Sequence, residues 1–138
     1  NCQQNYGIET TVPSVLNPLI SCDNRSEYVG QYTDNGTEPY DAFILNYGSI
    51  INLNTHNQLK FKLYSSSSIQ VLAKLEGGSA IEKWSDFSAI NTWQEFSYDF
   101  SDSIDNENTT LVLFFNAGQN NGNPQDIYHI DELRWEEN

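Results

Sequence analysis

Positive charge is what this sequence has least of: six Lys and Arg stand against 19 Asp and Glu in 138 residues, a formal net charge of -13 with a sequence pI near 4.1. Such a surface repels a phosphate backbone, so nucleic acid is excluded as a partner, and an anionic membrane surface is excluded on the same ground. Long hydrophobic runs are missing as well. No apolar stretch approaches the roughly 18 residues that a membrane span requires, so insertion in a bilayer is not expected. Cysteine and histidine are too few for a zinc site: Cys2, Cys22, His56 and His129 lack the paired spacing of tetrahedral ligands. The two cysteines either pair in a disulfide, as in extracellular domains, or Cys2 is the lipidated first residue of a lipoprotein. No signal peptide is present, so the sequence reads as a mature chain or a fragment.

Catalytic motifs are also wanting. There is no Gly-x-Ser-x-Gly, no phosphate-cradling glycine loop and no Cys–His pair in a plausible context. Carboxylates are so many that pairing Glu76 with Glu82 or Asp99 as a glycosidase dyad carries no weight. An enzyme is therefore not expected. Charged residues are only 18% of the chain while Asn, Ser, Thr, Gln and Tyr abound. The surface is thus mostly uncharged and hydrogen-bonding, which suits a neutral polar ligand. Sequons at Asn24, Asn35 and Asn108 are matches that an Asn-rich chain produces by chance.

What is present is a period of two, with almost no helical period. In IQVLAKLE, Ile69, Val71, Ala73 and Leu75 share one face while Gln70, Lys74 and Glu76 share the other. QLKFKLYS alternates Leu59, Phe61 and Leu63 with Lys60, Lys62 and Tyr64, and WQEFSYDF alternates Phe96, Tyr98 and Phe100 with Glu95, Ser97 and Asp99. TLVLFFN is apolar on both faces, as in a mid-sheet strand covered on both sides. NPLISCDN, TDNGTEPY, LEGG, SDSIDNEN and NAGQNNGNP read as turns and loops, and Ser65 to Ser68 as a hairpin turn or bulge. Strands at this spacing predict a sandwich within a single domain over residues 1–138.

The three tryptophans divide by phase. Trp93 opens a strand and is expected to pack at the sandwich edge, and Trp135 to cover the rim of the core. Trp84, in AIEKWSDF, shares its face with Glu82 opposite Ile81, which places the indole on the polar side. An exposed indole there is a candidate platform for a sugar ring, which offers an apolar C–H face and a fringe of hydroxyls.

The order NP…N.S.YVG.Y, INL.T.NQLKFKLYS, VLAKLE, TWQEFSYDFS, LVLFFNAG and IYHIDELRW resembles the β-sandwich carbohydrate-binding modules appended to polysaccharide-degrading enzymes of marine and gut bacteria. The likeness covers most of residues 17 to 135. It implies an all-β, jelly-roll (galactose-binding-like) sandwich of two antiparallel sheets. It also implies non-catalytic binding of a neutral polysaccharide, a β-glucan such as laminarin ahead of xylan or mannan, by an extracellular monomer that can be tethered to a glycoside hydrolase or lyase. Tyr40 stands where related modules often place a tryptophan, and with Trp84 would supply the aromatics; Gln70, Lys74 and Asn116 would supply hydrogen bonds. In these modules an acid on the last strand and one on the N-terminal strand commonly hold a structural Ca²⁺ with loop carbonyls, and by position Asp131 and Glu9 match. The family ending carries two Asp, whereas this chain has Glu132 for the second acid. The alternative for Asp131 is that it accepts loop N–H groups. A second reading of the whole is an adhesin or protein-interaction sandwich that works through exposed strand edges.

Overall fold

Period-two alternation becomes nine strands among the described residues of the computed structural model, which are 13–34, 40, 42–118 and 127–138. In chain order they are β1 (Ser14–Leu16), β2 (Tyr28–Thr33), β3 (Phe43–Asn46), β4 (His56–Tyr64), β5 (Ile69–Glu76), β6 (Ile81–Phe87), β7 (Trp93–Asp99), β8 (Thr110–Phe115) and β9 (Ile127–Glu137). A five-stranded sheet runs β1-β2-β9-β4-β7 and a four-stranded sheet runs β3-β8-β5-β6. The pairings are antiparallel. After β2 the chain passes from one sheet to the other at every connection except the β5–β6 hairpin, which makes the sandwich that the strand spacing predicts, with the jelly-roll wiring that the resemblance implies.

The inward faces are those the alternation assigned. Leu59, Phe61 and Leu63 of β4, Phe96 and Tyr98 of β7, and Tyr128, Ile130 and Leu133 of β9 meet Val71, Ala73 and Leu75 of β5 and Leu111, Leu113 and Phe115 of β8. Phe61 and Phe96 stack with centroids 5.1 Å apart, and Phe96 and Tyr98 at 6.1 Å. Each large side chain so buried stabilises the fold by about 1.5–3 kcal/mol. The Tyr98 hydroxyl crosses the core and donates to the Val71 carbonyl at 2.9 Å, so this buried phenol is satisfied.

Two local expectations change. Ser65 to Ser68 form neither hairpin turn nor bulge, because β4 and β5 lie in different sheets. They make the corner between sheets, with Ser65 buried and its hydroxyl donating to Ser67 O and accepting from Ser67 N. The LEGG stretch does make a hairpin turn, and its tip packs on the short 3₁₀ segment Ser101–Asn106 that SDSIDNEN forms. Ser79 N donates to Asn106 O at 2.8 Å. A Cβ on Gly78 would stand 1.9 Å from that same carbonyl, so only glycine fits.

The side chains of Asn24 and Asn108 are buried, and their amides donate to Asp131 and to Ser79 O. As sequons they are therefore closed to glycosylation in the folded chain, and Asn35 lies outside the described residues. Cys22 is disulfide-bonded; Cys2, its expected partner, lies outside the described residues.

Candidate functional site

The outer face of the four-stranded sheet is built in rows, because cross-strand partners share a face. Leu72 of β5 pairs with Trp84 of β6 on one side and Phe114 of β8 on the other. The adjacent row sets Lys74 between Glu82 and Val112, and the row beyond Leu72 sets Gln70 opposite Asp86. Trp84 is 51% exposed, and Tyr40, from the β2–β3 connection, is 65% exposed. Together Tyr40, Leu72, Lys74, Glu82, Trp84 and Phe114 line an open cleft of about 440 Å³. Its floor is apolar and its rim carries ammonium, carboxylate and phenol groups.

β8 was expected to be covered on both sides. Its outward Val112 is buried, at 3% exposed, as expected, while Phe114 is only partly covered and lines this cleft.

Lys74 does not present a bare charge. Its ammonium lies 2.9 Å from Glu76 Oε2 and 3.8 Å from Glu82 Oε2. The hydrogen bond that it donates to Glu76 holds its pKa above the ordinary lysine value against desolvation, with the Glu76 and Glu82 charges adding to the effect. Gln70 and Asn116 lie along the sheet, in an adjoining groove with Ser68, Asp86 and Ser88. The five residues singled out for sugar contact thus share one face. Leu72, Phe114, Glu82 and Asp86 were missed. The legible signal was Leu72, an apolar residue on the polar side of IQVLAKLE.

The outer face of the five-stranded sheet is different in kind. Lys60 pairs with Glu136 at 3.3 Å, and Arg134 with Glu95 at 3.2 Å and Glu136 at 2.5 Å, so half of that face is a ladder of ion pairs. The other half lies under the segment that joins β1 to β2. Trp93 is buried there, its indole N–H donating to Asn17 Oδ1 at 3.0 Å and Leu19 O at 3.1 Å. Trp93 is buried on the edge strand β7 beneath this loop, in keeping with the packing role expected of it at the sandwich edge. Trp135 packs on Phe100 and donates to the Tyr47 hydroxyl at 3.2 Å, covering the core's rim.

Beneath the same loop lie two consecutive acids. Lys62 pairs with Asp131 but Lys60 with Arg134, so Phe61 alone faces both Glu132 and Leu133: a bulge in β9, with Glu132 at φ 55. The bulge lets both acids stay outside the apolar core. Glu132 Oε2 is 2.5 Å from the ammonium of Lys62, which also donates to Asp23 O. Lys62 is 5% exposed, although alternation put it on the solvent side; the loop covers it. Asp131 is fully buried. Its Oδ2 accepts from Asn24 Nδ2 at 3.1 Å, and its Oδ1 has no hydrogen-bond partner among the described residues. A buried carboxylate oxygen with no donor suits a cation, so the chemistry of this spot fits Ca²⁺. Glu9, the other expected ligand, lies outside the described residues.

The fold is a β-sandwich of the kind seen in solved carbohydrate-binding modules. One similar structure comes from a structural analysis of an exo-β-agarase: TM-score 0.67 and 10% identity over 100% of this chain, which spans only 24% of that chain. TmCBM61, solved in complex with β-1,4-galactotriose, is similar over 98% of this chain and 88% of its own, at TM-score 0.53 and 10% identity. A third, from work on the promiscuous specificity of carbohydrate-binding modules of the β-sandwich superfamily, covers 97% of this chain and 56% of that one, at TM-score 0.56 and 12% identity. At such identities the likeness is one of fold. No protein-family model and no curated protein matches the sequence.

Proposed function

We propose that this chain is a non-catalytic carbohydrate-binding module whose site is the outer face of the four-stranded sheet, and that its ligand is a neutral polysaccharide. One observation carries the reading: the row Trp84–Leu72–Phe114, with Tyr40 beside it, forms an apolar floor rimmed by hydrogen-bonding groups and open to solvent. Stacking a pyranose there removes the indole face from water while the rim meets the hydroxyls. Charge supports the neutral class. Five of the six Lys and Arg are paired with carboxylates, Lys74 in the cleft included, so polyanions find little free positive charge. Within the neutral class the sequence resemblance favours β-glucan, whereas two structural neighbours are an agarase and a galactotriose complex. The test is titration calorimetry against laminarin, xylan, mannan, β-1,4-galactan and agarose, with Trp84→Ala in parallel and an assay for released reducing ends. Binding lost in Trp84→Ala with no release of ends is the expected result. Binding untouched by Trp84→Ala refutes the site, and release of ends refutes the non-catalytic reading.

The module acts outside the cell, in keeping with the disulfide at Cys22. When it is tethered to a hydrolase or lyase, even weak binding raises the enzyme's local concentration at the polymer. Asp131, with loop carbonyls and Glu9, would hold a structural Ca²⁺ that pins the β1–β2 segment to β9. An ion that binds only the folded state stabilises it by mass action, so EDTA lowers the melting temperature of protein purified with calcium and added Ca²⁺ restores it. Identical melts in metal-free and calcium-loaded protein refute the ion.

A further inference from the structure

We propose that the site extends along β5 and β6 into a second, polar subsite formed by Gln70, Asp86 and Asn116, so that the ligand is gripped as an interior stretch of chain and not by its end. The inference rests on the carbohydrate reading of this face and adds its direction, its length and the residues of its second half.

The apolar cleft does not end at Trp84. One row further along, a groove of about 500 Å³ is lined by Ser68, Gln70, Asp86, Ser88 and Asn116, and both cavities share Ala117 as a wall. The register makes them collinear: Lys74 faces Glu82, Leu72 faces Trp84 and Gln70 faces Asp86. From Ser68 to Lys74 a strand rising about 3.3 Å per residue covers roughly 20 Å, enough for several sugar units. Both grooves are open to solvent along this line.

The second groove is built to hydrogen-bond. Gln70 Nε2 and Asp86 Oδ1 are 3.4 Å apart, a contact at the long limit that a sugar hydroxyl can displace. Asn116 takes a left-handed backbone conformation, φ 64, and its N–H donates to Gln70 O at 2.8 Å, which fixes it at the groove wall. On the other wall Gln94 accepts from Ser88 N and donates to Asp86 O, bracing the end of β6. An apolar platform followed by an amide–carboxylate–amide set matches a ligand whose first ring stacks and whose next ring is read through its hydroxyls.

The experiment is calorimetry with laminari- and β-1,4-galacto-oligosaccharides of two to six units, free and capped at both ends, on the intact chain, on Trp84→Ala and on Gln70→Ala combined with Asp86→Ala. Affinity is expected to climb with length, to be indifferent to capping, and to fall about tenfold for the longest oligosaccharide in the double variant. The disaccharide, held at the platform, is expected to bind the double variant as it binds the parent. Full affinity at the disaccharide, loss of binding on capping, or an equal loss at every length in the double variant overturns the extended site. If Trp84→Ala still abolishes binding in those cases, the platform stands and only this inference falls; if no oligosaccharide binds, both fall.

Discussion

Removing the ammonium of Lys62 is among the most severe single changes the structure identifies outside the apolar core. Lys62 and Glu132 are 5% and 1% exposed and form an ion pair of 2.5 Å, and the same ammonium donates to the Asp23 carbonyl of the covering loop. Lys62→Met keeps the aliphatic stem but leaves a buried carboxylate beside Asp131 with its cation gone. Breaking a buried pair by deleting one partner costs about 3–5 kcal/mol. For a chain of this length each kcal/mol moves Tm by roughly 3–5 °C, so the variant should melt roughly 10–20 °C lower. Glu132 adds a second cost of about 1 kcal/mol for its left-handed backbone, which the pair must hold in place. The informative control is Lys62→Met with Glu132→Met. Replacing both charges by apolar groups of like volume is close to neutral in buried pairs, so this double variant should recover most of the loss. Urea unfolding and thermal melts of the three proteins decide it. A single variant within 1 kcal/mol of the parent, or a double variant no better than the single, refutes the claim that the buried charges hold each other.

Trp84→Ala should weaken binding by about 1.5–3 kcal/mol, the value of burying a large apolar side chain, and leave the urea midpoint nearly unchanged because the indole is half exposed. Trp93→Ala should do the reverse, losing about 3–5 kcal/mol of stability together with the indole N–H shared by Asn17 Oδ1 and Leu19 O; calorimetry and denaturation of both variants separate the roles. Burial holds the His129 imidazole below its ordinary pKa, and its Nδ1 is buried with no partner among the described residues. The folded state therefore resists the proton that the unfolded state accepts near pH 6.5, so this contribution is present above about pH 6.5 and lost as pH falls. His129→Phe should flatten the decline in urea midpoint between about pH 7 and pH 5, and an unchanged slope would count against it.

The strands were legible because burial on one face writes itself as alternation. IQVLAKLE is β5 residue for residue, and the inward sets of β4 and β7 follow the pattern. The pairing was not legible, since alternation says which face a residue takes but not which strand lies beside it. Hence Ser65 to Ser68, read as a hairpin, proved to be a corner between sheets. Lys62 shows a deeper limit. It sits on the polar side of its strand, as read, yet it is buried, because a loop distant in sequence folds over that half of the sheet. The acids at Asp131 and Glu132 could be named but not explained from the sequence, as the bulge that separates them from the core is a property of the register with β4. Trp84 was readable because its strand alternates without interruption. Leu72 and Phe114 escaped notice because their meaning lies in the row they share with it.

The two outer faces then separate the part of the molecule that stabilises from the part left to bind. On the five-stranded sheet every cation of the outward face is matched by a carboxylate, and the remaining area lies under a loop held by Trp93, Lys62 and Asn24. On the four-stranded sheet Trp84, Tyr40 and Ile44 stay open beside Leu72, Val112 and Phe114. The apolar area at Trp84 and Tyr40 that stays in solvent is area a ligand would cover, and the rim limits which ligand suits it. With Lys74 held between two glutamates and Asp86 further along, the face carries more negative than positive charge. A protein surface could supply apolar area, but a neutral glycan supplies flat C–H faces and hydroxyls at the spacing of a cleft one row wide, and it brings no charge to desolvate.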